Sequence, residues 1–163
     1  MVYNIIMKIN KEFFNYIKPI LVKLKSKIGN DFVIFGSTPL YLFGVVEFTK
    51  EINDIDVALK DKVNLPSNAK VVTFQGDTNK KFHKINIDGV NIDIGCEWEG
   101  WSGQKEFFKK LFKEQVVVDG YKFVNINVIE EWKKEMVKKY NREKDKKYLK
   151  QIKEYKTKQK DEQ

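Results

Sequence analysis

The stretch INDIDVAL, residues 52–59, is the most informative part of this sequence for the fold. It places two acidic residues in an otherwise apolar run. Such a run is typical of a core strand. Successive residues of a strand point to opposite faces, so Asp54 and Asp56 share one face, with their Cα atoms about 6.6 Å apart. Two carboxylates this close repel each other, and partial burial increases the repulsion. The strand therefore has to end in water or to place a cation beside the pair.

Three elements precede this strand. Apolar residues at helical spacing predict a helix over residues 10–29, which Pro19 kinks or divides. DFVIF, residues 31–35, predicts a short buried strand. The following run GSTPLYLFG predicts a turn into a second helix, which Ser37 or Thr38 would cap.

The rest of the chain alternates between strands and helices. Apolar runs joined by Asp-Gly pairs predict two hairpins, which turn at Asp88 and at Asp119. Apolar spacing also predicts a third strand and three more helices, at residues 69–74, 104–114, 127–140 and 143–157. The element order predicts an α/β (α+β) fold, in which helices flank a mixed β-sheet and further helices follow at the C-terminal end.

One domain is expected for these 163 residues, since no linker rich in Gly, Ser or Pro divides the chain. Its core would cover about residues 10–126, and a helical part would cover about residues 127–157. Cys96 is the only cysteine, which excludes an internal disulfide and argues against a cysteine-built zinc site. The sequence contains neither a signal peptide nor a run of about 18 apolar residues. We therefore expect a cytoplasmic protein without a membrane partner.

The charge pattern favours an anionic partner. The formal net charge is +8, and residues 133–163 carry 13 Lys or Arg against 6 Asp or Glu. This basic region would suit an RNA backbone, but a solvated helix face gives the same pattern, and the sequence leaves both interpretations open. All but one of the 31 basic residues are lysine, so a lysine-rich composition can account for part of the charge.

Three features together indicate phosphate and metal chemistry. A predicted strand ends at Gly36-Ser37 where a helix begins, and such a junction offers N–H groups and a helix dipole to a phosphate. Asp54 and Asp56 follow on the next strand, and NIDIG places Asp93 on a further one. Three carboxylates from two strands can hold two divalent ions, and Mg²⁺ prefers oxygen ligands. Two such ions can activate an attacking hydroxyl and neutralise a leaving pyrophosphate.

The pattern FGSTPL, NDIDVAL and NIDIG resembles the nucleotidyltransferase superfamily typified by DNA polymerase β. The run GSTPLYLF ahead of NDID is most similar to the version in toxin nucleotidyltransferases of the AbiEii kind and in some aminoglycoside nucleotidyltransferases. The later run KKYNREKDKKYLKQI, residues 138–152, is similar to the helices that end the core in that group. The resemblance covers about residues 31–155 and depends on about fifteen positions.

This resemblance implies a catalytic role and a metal-binding role for the three aspartates. Asp54 and Asp56 would bind both of two Mg²⁺ ions. Asp93 would bind the ion that activates the acceptor hydroxyl. By contrast, Asp88 belongs to the hairpin turn, where an Asp-Gly pair is structural, and we expect it to stay outside the site.

Phosphate-binding positions follow from the same resemblance. Gly36, Ser37 and Thr38 would hold the triphosphate. Lys138 would approach the phosphates, and Asp145 would brace the site.

Two tryptophans in CEWEGWSG follow the Asp93 strand and have two interpretations. Trp98 and Trp101 would either stack on a base near the metals or close the end of the core.

The resemblance implies an enzyme that moves a nucleoside monophosphate from an NTP to an acceptor hydroxyl and releases pyrophosphate. The expected acceptor is RNA, such as the 3′ end of a tRNA, with a protein side chain or an aminoglycoside hydroxyl as alternatives. A toxin of a toxin–antitoxin system, with a protein partner such as an antitoxin, fits the same resemblance. The competing hypothesis is a catalytically inactive nucleotide-binding or RNA-binding module, or a subunit that works with another chain.

Overall fold

The structure is a computed structural model that describes residues 8–60, 64–74, 77–96 and 104–162. Its elements in chain order are α1 (Lys11–Ile28), β1 (Phe32–Phe35), α2 (Thr38–Leu42), β2 (Asp54–Leu59), β3 (Lys70–Phe74), β4 (Asp77–Ile87), β5 (Val90–Gly95), α3 (Gln104–Leu111), β6 (Gln115–Val118), β7 (Tyr121–Val124), α4 (Ile126–Tyr140) and α5 (Glu143–Asp161).

The strands of the described residues form one mixed sheet in the order β3-β4-β5-β2-β1-β7-β6. β2 pairs parallel with β5 and antiparallel with β1, while β1 pairs parallel with β7. The other three pairings are antiparallel. The predicted fold class, a mixed sheet flanked by helices with further helices at the C-terminal end, is confirmed.

The centre of the sheet is the most buried part of the described chain. All four residues of β1 are buried, and Ile55 and Val57 of β2 have no exposed surface. Because Asp54 and Asp56 point to the opposite face from Ile55 and Val57, the predicted alternation holds along the first part of this strand. One face of β2 is therefore core, and the other carries the acidic pair.

Helix α1 covers the core face of the sheet. The side chain of Asn10 caps it by accepting a hydrogen bond from the Phe13 backbone N–H at 3.1 Å, and Gly29 follows its end with a φ of 80°. The helix continues through Pro19 without a break, so the predicted alternative of a divided helix is wrong. Buried Ile17 and Ile20 on either side fix the helix to the sheet, and this packing compensates for the backbone hydrogen bond that proline cannot make.

Both predicted hairpins are present and turn at their Asp-Gly pairs. Asp88 and Asp119 have φ values of 52° and 49°, and the glycines that follow also have positive φ, as a type I′ turn requires. Lys23 contacts Asp88 and Lys18 contacts Asp119, each with a 2.6 Å ion pair, so α1 touches both turns. These pairs are half-exposed and add little stability.

Helices α4 and α5 close the chain and cover the acidic face of the sheet. The Asn125 side chain caps α4 by accepting from the Val128 N–H at 3.2 Å. Asn141, with a φ of 51°, ends α4 in the left-handed conformation and reverses the chain into α5. Trp98 and Trp101 lie outside the described residues. Among the helices that the structure describes, none has the length and apolar character to cross a membrane.

Candidate active site

The three predicted aspartates line one cleft on the α4 side of the sheet. Asp56 lies directly opposite Asp93 in the parallel β2–β5 pair, and Asp54 is two residues earlier on β2. Paired residues share a face of the sheet, so the register brings all three carboxylates to the same side. The cleft measures about 360 Å³, and its lining includes residues of α2, α4 and α5 as well as the sheet.

Gly36 makes the closest approach to the acidic cluster. Its φ is 69°, and a Cβ atom built on it would overlap Asp56 Oδ2 and lie 2.9 Å from Asp56 Cγ. Only glycine fits this position, because it accepts the left-handed backbone and leaves room for the carboxylate. The sequence indicated that Gly36 would let the backbone approach a phosphate. The structure places Gly36 in the lining of the cleft, with its backbone packed against the Asp56 carboxylate.

We expect Gly36→Ala to destabilise the protein more than Gly44→Ala does. Gly44 has a similar φ of 73°, but a Cβ atom there would meet nothing within 4 Å. Both variants carry the backbone cost of about 1–2 kcal/mol, and only Gly36→Ala also displaces the Asp56 side chain. Urea denaturation measures the difference. Equal losses in the two variants would contradict the packing of Gly36 against Asp56.

Ser37 and Thr38 occupy different environments despite being neighbours. Ser37 lines the cleft at the N-cap position of α2, but its side chain makes no capping hydrogen bond. Thr38 is buried, with 2% of its surface exposed, and does not line the cleft. Ser37 is therefore the hydroxyl of this turn that can reach a ligand in the cleft.

Asp54 and Asp56, the two neighbouring carboxylates of β2, have different environments. Burial, followed by the nearby charges of Asp54 and Asp93, raises the pKa of Asp56 to about 7. The charges of Lys133 and Lys144 oppose this rise. Asp54 itself is exposed to water at the edge of the cleft. Water therefore solvates Asp54, and the charges of Lys133 and Lys144 partly offset the repulsion at Asp56.

Asp93 has a cationic neighbour that our sequence interpretation missed. Lys84 Nζ lies 3.5 Å from Asp93 Oδ1, an oxygen that is buried and makes no hydrogen bond within the described chain. Burial raises the pKa of Asp93, and the charge of Lys84 opposes the rise. The signal was present in the sequence, because a hairpin turned at Asp88 places Lys84 directly opposite Asp93.

A buried ionic network stands on the other side of the cleft. Asp145, with no exposed surface, accepts from Lys133 Nζ at 3.2 Å and from Arg142 Nε and Nη2 at 2.6 and 3.2 Å. Burial lowers the pKa of Lys133, while Asp145 and Asp56 act in the opposite direction. The Lys133 ammonium also lies 4.7 Å from the centre of the Tyr148 ring. The network fixes two cations at the cleft, opposite the three carboxylates.

Lys138 is placed elsewhere. It is exposed on α4 and does not line the cleft, so the structure does not bring it together with the three aspartates. The basic residues that do line the cleft are Lys133, Arg142 and Lys144. Asp88 lies at its hairpin turn, beside α1.

Aromatic side chains complete the lining. Tyr41 of α2 lies near Tyr148 of α5, and burial together with this neighbour raises the pKa of Tyr41 to about 12. Phe74 and Phe82, from β3 and β4, line the cleft on the side of Asp93 and are partly exposed. Arg142 lies over the Phe74 ring, with its Cζ 5.4 Å from the ring centre.

The residues of the cleft fit Mg²⁺ in their chemistry, because carboxylate oxygens are its preferred ligands and Asp93 Oδ1 is buried without a hydrogen bond. Within the described residues, however, no three His, Cys, Asp or Glu side chains already form a group that could hold a metal ion. The cation beside Asp93 in this structure is the Lys84 ammonium group. Metal binding would therefore require the carboxylates to move together and Lys84 to give way.

Comparison with known proteins gives distant structural matches. No protein-family model and no curated protein match the chain. The structure of JHP933 from Helicobacter pylori matches with a TM-score of 0.36 and 14% identity, over 77% of this chain and 57% of that one. A second H. pylori structure, provisionally named a nucleotidyltransferase, matches with a TM-score of 0.36 and 16% identity, over 76% and 58%. The chain thus spans less than two thirds of either protein.

Proposed function

We propose that this protein transfers a nucleoside monophosphate from an NTP to an acceptor hydroxyl and releases pyrophosphate. The observation that carries the proposal is the register of β2 and β5, which brings Asp54, Asp56 and Asp93 into one cleft with Ser37 at its side. Three carboxylates facing three basic residues provide both a metal-binding side and a phosphate-binding side. This pairing suits a magnesium-bound triphosphate.

Different residues of the cleft would bind the metal ions and the phosphates of the substrate. Asp54, Asp56 and Asp93 would hold two Mg²⁺ ions, which supply charge neutralisation on the phosphates and a more acidic acceptor hydroxyl. The Ser37 hydroxyl would donate to a phosphate oxygen. Lys133 and Lys144 would face the same phosphates, since both already act on Asp56 through their charge. Asp145 would keep Lys133 in place.

The chemical step is a displacement at the α-phosphorus. The acceptor oxygen forms a bond to phosphorus, the bond from phosphorus to the oxygen that bridges to the β-phosphate breaks, and pyrophosphate leaves with that electron pair. The acceptor proton would go to the Asp93 carboxylate, once Lys84 has released the oxygen that it now contacts.

For the acceptor we propose RNA, with tRNA as the first to test. Exposed lysines at positions 144, 147, 150 and 153 provide positive charge along α5, and the first of them, Lys144, lines the cleft. A toxin role with a protein partner or antitoxin remains part of this proposal, and protein hydroxyls are the alternative acceptors.

A nucleotide-binding module without catalysis is the second candidate function. One observation favours it, namely the ion pair of Lys84 with Asp93 in a cleft whose described side chains form no preassembled metal group. If that pair persists in the presence of Mg²⁺ and NTP, the third carboxylate is not available for chemistry.

Label transfer separates the two candidates. With NTP labelled at the α-phosphate, an enzyme labels an acceptor in total tRNA or in protein, whereas NTP labelled at the γ-phosphate gives no labelled acceptor. We expect Asp93→Asn to abolish labelling and Asp88→Asn to leave it unchanged, since Asn-Gly supports the same turn. Magnesium-dependent NTP binding without labelling of any acceptor would favour the binding module. Full labelling by Asp93→Asn would remove that residue from the mechanism.

A further inference from the structure

Two aspartates of the cleft belong to a row of paired residues that crosses the sheet. Asp56 on β2 is opposite Asp93 on β5, Asp93 is opposite Lys84 on β4, and Lys84 is opposite Lys70 on β3. Directly paired residues lie on one face, so the row of acids continues as a row of lysines toward the β3 edge of the sheet. Adjacent strands lie about 4.8 Å apart, which places the Lys70 backbone about 10 Å from Asp93.

An aromatic ring accompanies these lysines. Phe82 is two residues before Lys84 on β4 and therefore lies on the same face, lining the cleft. It is partly exposed, and Lys84 Nζ lies 5.8 Å from its ring centre. Phe74 of β3 also lines the cleft. We name the surface formed by Lys70, Phe74, Phe82 and Lys84 the β3–β4 shelf.

The composition of the shelf suits a single-stranded nucleic acid. Proteins that bind single strands combine positive charge along the backbone with aromatic rings on which bases stack. The lysines of the shelf are available to solvent, since Lys70 is exposed and the Lys84 side chain is 35% exposed. The Phe82 ring with Lys84 beside it, and Lys70 paired with Lys84 on the next strand, suits a base and the phosphates that precede it better than a protein hydroxyl or a small sugar.

The direction of the reaction assigns the shelf to the acceptor rather than to the NTP. In an in-line displacement the attacking oxygen and the leaving oxygen lie on opposite sides of the phosphorus. Ser37, which would hold the leaving phosphates, follows β1, on one side of the carboxylates. The acceptor then approaches from the opposite side, where β4 and β3 lie.

We propose that the β3–β4 shelf binds the 3′-terminal nucleotides of a single-stranded RNA and directs the terminal hydroxyl toward Asp93. This inference rests on the proposed function and names the acceptor and its binding surface. The terminal base stacks on Phe82, and the phosphates that precede it face Lys84 and Lys70. The strand leaves the cleft over the β3 edge of the sheet.

Direct RNA binding tests this proposal without any turnover. Anisotropy of a 5′-labelled single-stranded 12-mer, measured without NTP, gives the Kd for the wild type and for Phe82→Leu, Lys70→Glu and Lys27→Glu. Phe82→Leu keeps an apolar side chain but removes the stacking surface, and we expect about a tenfold higher Kd. Lys70→Glu should raise Kd and lower the salt slope by about 0.7, the share of one phosphate.

Lys27→Glu is the matched control. Lys27 is exposed on α1, on the other side of the sheet, so its charge reversal changes the net charge equally without touching the shelf. It should keep the salt slope of the wild type. Unchanged binding in both Phe82→Leu and Lys70→Glu, or an equal loss in Lys27→Glu, overturns the proposal. A loss of NTP binding in Phe82→Leu with normal RNA binding also overturns it, because the ring then serves the incoming base.

The outcome is distinguishable from failure of the proposed function. Transfer of label to a protein, together with no RNA binding by the wild type, keeps the transferase and removes the shelf. RNA binding that depends on Phe82 and Lys70, together with no transfer to any acceptor, keeps the shelf as a binding surface and removes the transferase.

Discussion

Asp145→Asn is expected to lower the free energy of unfolding by about 3–5 kcal/mol, because it leaves a buried lysine without its anion. The Asp145 side chain has no exposed surface, and that of Lys133 is only 7% exposed. Arg142, with 18% of its side chain exposed, can turn partly toward water. Lys133 cannot reach water in this way, so most of the lost stability comes from its buried, unpaired ammonium group.

The pH dependence of this variant identifies Lys133 as the source of the loss. Burial already holds the pKa of Lys133 below its ordinary value, and Asp145 works against that effect. Without Asp145 the folded-state pKa falls further. A lysine whose pKa is lower in the folded state favours unfolding at low pH, and this penalty disappears as pH approaches the unfolded value of about 10.4. The deficit of Asp145→Asn should therefore shrink between pH 7 and pH 10.

Glu143→Gln supplies the matched control, since Glu143 is an acid of the same helical turn. It is exposed and contacts Lys146 at 2.9 Å, so its removal should cost at most about 1 kcal/mol and show no such pH trend. Urea denaturation at several pH values measures both variants. An Asp145→Asn protein as stable as Glu143→Gln would contradict the buried network.

Asp56→Asn should have the opposite effect and stabilise the metal-free protein by about 2–4 kcal/mol at pH 8. The pKa of Asp56 is raised from 3.8 to about 7 by burial and by its acidic neighbours, so ionisation is disfavoured in the folded state. The folded protein binds more protons than the unfolded chain between these values. Its stability therefore falls as pH rises from about 4 to about 7 and then levels off.

Asparagine cannot ionise, so the variant should lack this part of the pH dependence. Denaturation in EDTA between pH 4 and pH 8 measures it, with Asp31→Asn as a control at an exposed carboxylate. Under the proposed function, Mg²⁺ with NTP should then stabilise the parent and have much less effect on Asp56→Asn. Parallel pH profiles for the parent and Asp56→Asn would show that Asp56 titrates as an ordinary carboxylate.

The sequence predicted the acidic face well because its cause is local. Strand alternation fixes the face of Asp54 and Asp56, and Asp-Gly turns fix the hairpin that carries Asp93. The same hairpin register places Lys84 opposite Asp93, and this consequence could have been drawn from the sequence.

The cationic side of the cleft depends on how α4 and α5 pack, which no local rule gives. Lys133 and Lys138 are five residues apart, about 140° around a helix, so they cannot face the same cleft. A clue was present, because Lys133 lies four residues after Ile129 and three before Met136, within the buried stripe of α4. Asp145 reaches Lys133 only after the chain reverses at Asn141.

The parallel pairing of β2 with β5 has a consequence for the order in which the chain folds. β4 and β5 are joined by a tight turn and can pair within microseconds, whereas β2 must wait for a distant segment, and such non-local contacts form late. We therefore expect Asp93 to reach Asp56 with Lys84 already beside it. The cation that opposes the charge of Asp93 thus belongs to the same hairpin and can lie beside it before the acidic cluster forms.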